Sequence, residues 1–208
     1  MIVVHHLNQS RSQRVLWLLE ELGLAYEIAC YERDSRNMAP AALRDIHPLG
    51  KSPIIQDGER VVAESGAIVD YIVRRHGNGR LRPAEADDLY EDYVYWLHYA
   101  EGSAVTPFIM MPIAQSFGKM AAPLRRRVDW EMALNLGFID RSLSDRAFLL
   151  GDDLTAADIQ MSFVGELAAA SPTIGQYLNI DRWVRRFQDR TAYKAAIERG
   201  GYYKFQRR

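Results

Sequence analysis

Lys51, Ser52, Pro53, Glu64 and Ser65 belong to one stretch, I-H-P-L-G-K-S-P-I-I-Q-D-G-E-R-V-V-A-E-S, whose residue types could hold a small peptide. His47-Pro48-Leu49-Gly50 reads as a turn, and Ser52-Pro53 opens a short apolar run, Ile54-Ile55. A proline at the first position of a strand costs no ladder hydrogen bond, and an X–Pro bond loses most of its trans preference. A cis bond there would leave the backbone N–H and C=O of Ser52 facing outward, ready to pair with an extended peptide. Asp57-Gly58 is a hairpin signal with Val61-Val62 as the returning strand. Ala63-Glu64-Ser65 then enters a helix over Gly66–His76, with Ser65 as the expected N-cap. A hydroxyl-capped helix N-terminus suits a carboxylate, and Glu64 beside it suits an ammonium. A strand edge, an anion site and a cation partner together make a peptide site. The plainer reading of the same residues is a β-hairpin followed by a capped helix.

These residues need a scaffold, and the order of elements supplies one. Met1–Leu7 reads as a buried strand. A helix runs from Ser12 to Leu22 on Val15, Leu16, Leu18, Leu19 and Leu22, and Gly23 stops it. Tyr26–Tyr31 is a second strand, parallel to the first through a right-handed crossover. Ala41–Ile46 makes a short helix ahead of the hairpin. The order β-α-β-α-β-β-α is that of a thioredoxin-like α/β domain, expected over 1–76. Gly77–Pro83 is a linker by its Gly and Pro content. Everything from about 84 to 208 reads as an all-α bundle. Its expected helices include an aromatic one at Ala84–Gly102 and a long amphipathic one at Pro123–Leu143. Ile159–Ala170 is apolar nearly all round, so it is the buried centre. Thr155 caps that helix, with Asp158 reaching back in a variant of the capping box.

The composition excludes several function classes. The chain has 208 residues, 48% hydrophobic and 25% charged, with a net charge of −1. That is a globular chain with ample core, and no basic stripe invites nucleic acid. No apolar run approaches a membrane span, and the N-terminus lacks the basic n-region of a signal peptide. The single cysteine, Cys30, rules out an intramolecular disulfide, which fits a cytoplasmic location. On its expected strand, with Ile28 on the same face, Cys30 reads as a buried, inert thiol. His5 and His6 read as strand residues facing core and solvent alternately, with no further ligands at metal spacing.

"GKSPII…DG…VVAESGAIVDYI" resembles the glutathione site of the soluble glutathione S-transferases, whose N-terminal domain is thioredoxin-like. The family pattern of Lys-x-Pro, a hairpin, then Glu-Ser-x-Ala-Ile is matched at Lys51, Pro53, Glu64, Ser65, Ala67 and Ile68. Ser52 stands where the family usually has an aliphatic residue; only its backbone is needed. "FLLGDDLTAADI" at Phe148–Ile159 resembles the family's capping-box motif, which serves folding. The resemblance therefore covers both domains. It implies glutathione as co-substrate, no metal, and attack of its thiolate on a small hydrophobic electrophile. It also implies a homodimer, for which the aromatic helix at Tyr90–Tyr99 offers apolar surface. A glutathione-dependent peroxidase or disulfide reductase on the same scaffold, or a non-catalytic glutathione-binding protein, are the alternatives.

The thiol of free glutathione ionises near ~8.5 or above. Lowering that by about two pKa units takes about 2.7 kcal/mol of preference for the thiolate. One hydroxyl donor near a helix N-terminus supplies that order of stabilisation. In the serine-type members the activating serine lies four residues before an arginine that begins the helix body, and Ser10 stands so before Arg14. The segment H-L-N-Q-S-R-S-Q-R-V-L-W-L-L-E-E-L looks most like the fungal and bacterial group related to the yeast transferase Gtt. Asn8 and Ser12 are rivals for the role. An asparagine serves in some bacterial members that reduce disulfides, and Ser12 is the better helix cap. Helical spacing puts Tyr95, Tyr99 and Ser103 on one side. Tyr99, Ser103 and Phe108 are the expected second-substrate residues.

Overall fold

The computed structural model describes residues 1–206. β1 (Ile2–Leu7) pairs in parallel with β2 (Tyr26–Tyr31), Ile2 opposite Tyr26 and His6 opposite Cys30. The crossover between them is α1 (Ser12–Leu22), which ends on Gly23 in the left-handed region at φ 62°, as a residue without Cβ allows. After the short α2 (Leu43–Ile46), β3 (Ile54–Asp57) runs antiparallel to β1, and β4 (Arg60–Ala63) antiparallel to β3. The sheet order is β2-β1-β3-β4, and α3 (Ser65–His76) closes the unit. This is the expected thioredoxin-like order, followed by a helical region.

By compactness the chain divides into two units. One comprises Met1–Glu85 together with the residues from Arg186 onward; the other is Ala86–Arg185. The last segment, which the sequence reading assigns to the helical bundle, thus groups with the sheet. The reason lies in α1. Its buried residues include Ser12, Gln13 and Arg14 as well as Val15 through Leu19, so it is covered all round. One side meets β1 and α3. The other meets α9 (Thr191–Gly200), the last helix of the chain. Trp17, fully buried, stacks on Phe187 at 5.2 Å between ring centroids and meets the edge of Tyr193 at 5.5 Å. Arg190 closes the seam with two hydrogen bonds to the carboxylate of Glu21, 2.5 and 2.9 Å.

The second unit is helical. It holds α4 (Tyr90–Tyr99), a π-helical turn at Ala100–Ala104, α5 (Thr106–Ser116), a short 3-10 turn, α6 (Ala122–Ser142) and α7 (Ala156–Ala169). α8 (Leu178–Gln188) carries the chain across the boundary. The aromatic helix starts later than expected, at Tyr90, and at its C-terminal end passes into the π-helical turn, a distortion that pattern-reading of apolar spacing does not detect. α7 is buried on nearly every side, as its composition predicts.

Two further expectations are corrected. Cys30 is exposed, because β2 is the outer strand of the sheet beside β1. His5 and His6 do not alternate between core and solvent: each is 4% exposed. They point to opposite faces of the sheet, and both faces are covered.

Candidate active site

Three chain segments meet at one end of the sheet. β1 arrives with its C-terminal end. The antiparallel register His5↔Ile54 brings Ser52-Pro53 alongside, and Ile54↔Ala63 brings Glu64-Ser65 beside that. The Ser52–Pro53 peptide bond is cis. The Ser52 hydroxyl donates to the His5 carbonyl at 3.1 Å, tying the loop to β1. Pro53 is buried, Ser52 half-buried and Lys51 exposed.

The turn after β1 is held from two sides. The Asn8 amide N–H donates to the Tyr31 carbonyl at 3.1 Å, and the Asn8 side-chain oxygen accepts from the Arg33 amide at 3.1 Å. Gln9 sits at φ 53° and its side chain bridges the C-terminal segment, donating to the Tyr202 carbonyl at 2.7 Å and accepting from the Lys204 amide at 3.0 Å. Neither anchor is visible in local sequence pattern. In the structure, the burial of the polar Ser12, Gln13 and Arg14 along with the apolar residues of α1 accompanies the return of the chain end.

Ser10 heads a chain of buried polar groups. Its Oγ lies 2.8 Å from Ser12 Oγ and 3.5 Å from Ser52 Oγ, and accepts from the Ser12 amide at 3.2 Å. Ser12 Oγ lies 2.8 Å from His6 Nδ1 and 3.2 Å from the Leu7 carbonyl, and His6 Nε2 lies 3.1 Å from the Gly200 carbonyl. Exposure falls along the path, from 6% at Ser10 to none at Ser12. Of the three residues proposed for the thiol, Ser12 is sealed inside and Asn8 is engaged with the start of the Arg33 loop. Ser10, at 6% exposure, lies at the end of the chain beside Ser52. The sequence reading took His6 for an ordinary strand residue; its link to Ser12 appears only once the strand and helix are docked.

At α3 the sequence expectation needs revision. The helix begins at Ser65, and Glu64, not Ser65, occupies the N-cap position, at φ 70° and ψ 121°. A side chain in that region is uncommon and costs local strain. The twist carries the chain from the end of β4 straight into the helix. Ser65 is 3% exposed in the first turn of the helix, while Glu64 beside it is exposed. The pair therefore remains side by side at a helix N-terminus, as an anion site requires.

In the helical unit, a cavity of about 640 Å³ opens between α4, the π-helical turn, α5 and α6. Tyr95, Tyr99 and Ser103 line it together with Met110, Val128 and Phe138; Phe108, half-buried, is not among its lining residues. Tyr95 and Tyr99 stack at 5.3 Å, and the Tyr99 hydroxyl donates to Asn135 Oδ1 at 2.5 Å. Burial first, then Tyr95 and Glu131, push the Tyr99 phenol above its usual range, so it stays a donor.

Comparison with known proteins matches these features to one family. Residues 1–74 fit the N-terminal domain of the glutathione S-transferases. A glutathione S-transferase 3 of Schizosaccharomyces pombe is 38% identical, over 96% of this chain and 88% of its own. The chain belongs to the glutathione S-transferase family. A glutathione S-transferase 1 of Saccharomyces cerevisiae is 32% identical over 96% of this chain and 95% of its own. The crystal structure of a glutathione S-transferase from Actinobacillus pleuropneumoniae superposes with a TM-score of 0.92 at 32% identity, covering 100% of this chain and 97% of that one. As a transferase it therefore joins a thioredoxin-like domain to a helical one, and its similarity to fungal and bacterial members agrees with the resemblance noted at the Ser10 segment. Among its described residues no three His, Cys, Asp or Glu side chains gather as a metal set, and no helix is long and apolar enough to cross a membrane.

Proposed function

We propose that this transferase ionises glutathione at Ser10 and conjugates the thiolate to small hydrophobic electrophiles. The observation that carries the reading is the Ser10 hydroxyl itself. It sits at the ligand-facing end of a buried polar chain, 3.5 Å from the hydroxyl of Ser52 in the cis-proline loop. The roles follow from chemistry. Ser52 presents backbone groups to the extended tripeptide beside buried Pro53. Ser65 and the α3 N-terminus receive the γ-glutamyl carboxylate, Glu64 its ammonium, and Lys51 adds a positive charge at the rim. The fixed partners of Asn8 and the burial of Ser12 support Ser10 over its rivals.

For the electrophile, Tyr99 and Ser103 supply an apolar wall with two hydroxyls, and Phe108 adds aromatic surface near them in sequence. A second copy of the chain is the proposed partner. Tyr95, Trp130 and Leu134, at 46%, 52% and 51% exposure, leave α4 and α6 with an apolar face that water does not favour. The one cysteine, free and exposed, suits the reducing cytosol.

A parallel assay with a chloronitrobenzene, a hydroperoxide and a mixed glutathione disulfide tests the activity. Conjugation should dominate. Turnover confined to the peroxide or the disulfide would replace conjugation by peroxidase or reductase chemistry. Glutathione binding with no turnover in any arm would make the protein a binder. Sedimentation at micromolar concentration should give a dimer; a monomer would remove the second copy.

A further inference from the structure

We infer that His6, acting through Ser12 and Ser10, takes up the proton that glutathione loses when its thiol ionises at this site. The inference rests on reading Ser10 as the thiol-facing hydroxyl.

The hydrogen bonds fix the starting state. The Gly200 carbonyl can only accept, so His6 carries its proton on Nε2 and presents the bare Nδ1 lone pair to Ser12. Burial holds the imidazole below its usual value, against the Gly200 bond that raises it, so the resting ring is neutral, and its bare Nδ1 is the acceptor at the end of the chain. The Ser12 hydroxyl has two acceptors in reach, the Leu7 carbonyl at 3.2 Å and Nδ1 at 2.8 Å; with its proton turned to the nearer Nδ1, it accepts from Ser10 at 2.8 Å. That leaves the outer lone pair of Ser10 for an incoming S–H.

Each hydroxyl in such a chain can donate in either direction. When the thiol S–H bond breaks, its proton joins Ser10 Oγ. The proton of Ser10 moves to Ser12 Oγ, and that of Ser12 moves to His6 Nδ1. One S–H bond is exchanged for one N–H bond, and nothing is oxidised or reduced. Every bond in the chain is then reversed: imidazolium to Ser12, Ser12 to Ser10, Ser10 to the thiolate. A hydroxyl that first accepts from the thiol ends by donating to the sulfur anion.

Against the cost of burial, the α9 end offers a charged ring one partner. Gly200 is the last residue of the ten-residue α9, whose C-terminal carbonyl end favours a positive charge. The approach is close: a Cβ on Gly200 would sit 2.7 Å from Gln13 Oε1 and 2.8 Å from Leu16 Cδ1, so both side-chain ends would have to shift. Gln13 on α1 and His6 both approach Gly200, and Cys30 stands opposite His6 in the β1–β2 register. Arg199, next along α9, is turned to Glu20 at 2.9 Å and to the Tyr26 carbonyl at 3.0 Å.

The test follows the five histidines of the 15N-histidine-labelled full chain by NMR, alongside the thiolate absorbance of bound glutathione. One imidazole, identified by its loss in His6→Gln, should pass from the neutral Nε2–H tautomer to imidazolium when glutathione binds. S-methylglutathione, which has no thiol proton, should leave it neutral. In weakly buffered solution, thiolate formation should release well under one proton per site. His6→Gln keeps a donor and an acceptor but holds no extra proton. Its bound thiol should titrate at higher pH, with turnover at neutral pH lower by roughly 10²-fold and recovering as pH rises. If thiolate forms in the wild type while His6 stays neutral and a full proton is released, the relay is overturned and the Ser10 reading stands. If the His6→Gln titration overlays wild type, the relay is likewise overturned. If no thiolate forms in the wild type, both fail.

Discussion

Asp158, at the start of α7, accepts four hydrogen bonds, three of them from N–H groups that can only donate. The Leu149 amide reaches it at 2.8 Å, the Thr155 amide and hydroxyl at 3.0 Å each, and the Trp183 indole at 3.1 Å. Ser10, just ahead of α1, belongs to a network of similar depth whose members can both give and take a proton. The helical unit thus uses buried polarity to lock a geometry. The sheet unit uses it to leave one open. A network of one-way donors fixes the groups it joins, because any rearrangement strands a buried N–H. A network of hydroxyls and an imidazole keeps every bond while its direction reverses.

The largest expected effect comes from breaking the fixed network. Asp158→Ala leaves four buried donors without their acceptor. Unfolding in urea should show a loss of about 3–5 kcal/mol, with glutathione affinity of the surviving folded fraction little changed. A comparable loss of binding would mean that the two networks are not separate in function.

The same carboxylate makes a prediction with pH. Burial pushes the Asp158 carboxyl up to about 6, against the four hydrogen bonds that lower it. The folded state therefore holds this proton more tightly than the unfolded chain does. Its contribution is greatest below about pH 4 and declines as pH rises toward 6. The stability difference between wild type and Asp158→Asn, which does not titrate, should shrink by up to about 3 kcal/mol across that window. A flat difference would place the carboxyl at an ordinary value.

Breaking the reversible network should do the opposite of Asp158→Ala. Ser10→Ala should change stability by no more than about 1 kcal/mol. Turnover at neutral pH should fall by roughly 10²-fold, because the developing thiolate loses its donor. The bound thiol should titrate at higher pH. If Asn8→Ala moves that titration and Ser10→Ala does not, the asparagine takes the role.

The smallest of the four sharpens the contrast within the sheet unit. Ser65→Ala should weaken glutathione binding by about 1.5–3 kcal/mol, the worth of a hydrogen bond to a charged group. The pH at which the bound thiol ionises should stay put. Unchanged affinity by calorimetry in both Ser65→Ala and Glu64→Ala would move the carboxylate site elsewhere.

Local patterns were enough for the elements and for the motif residues. The alternation and turn chemistry at Asp57-Gly58 define the hairpin. Gly23 marks the end of α1. Thr155 and Asp158 announce α7, since a capping box acts over three residues and needs nothing distant. Lys51, Pro53, Glu64 and Ser65 are legible for a similar reason: they flank one hairpin, whose pairing brings its two ends together. What the tertiary structure alone decided lies between residues far apart in the chain. The positive φ of Glu64 depends on how β4 must turn into α3. Cys30 is exposed because β2 is the outer strand beside β1, which no property of β2 itself reveals. The return of α9 to α1 joins residues nearly a whole chain apart, and only that return brings the Gly200 carbonyl to His6. A histidine in a strand and two serines at a helix start are ordinary in sequence. They become a single buried chain because docking removes water from all three, after which their side chains meet their hydrogen-bonding needs through one another and through the Leu7 and Gly200 carbonyls.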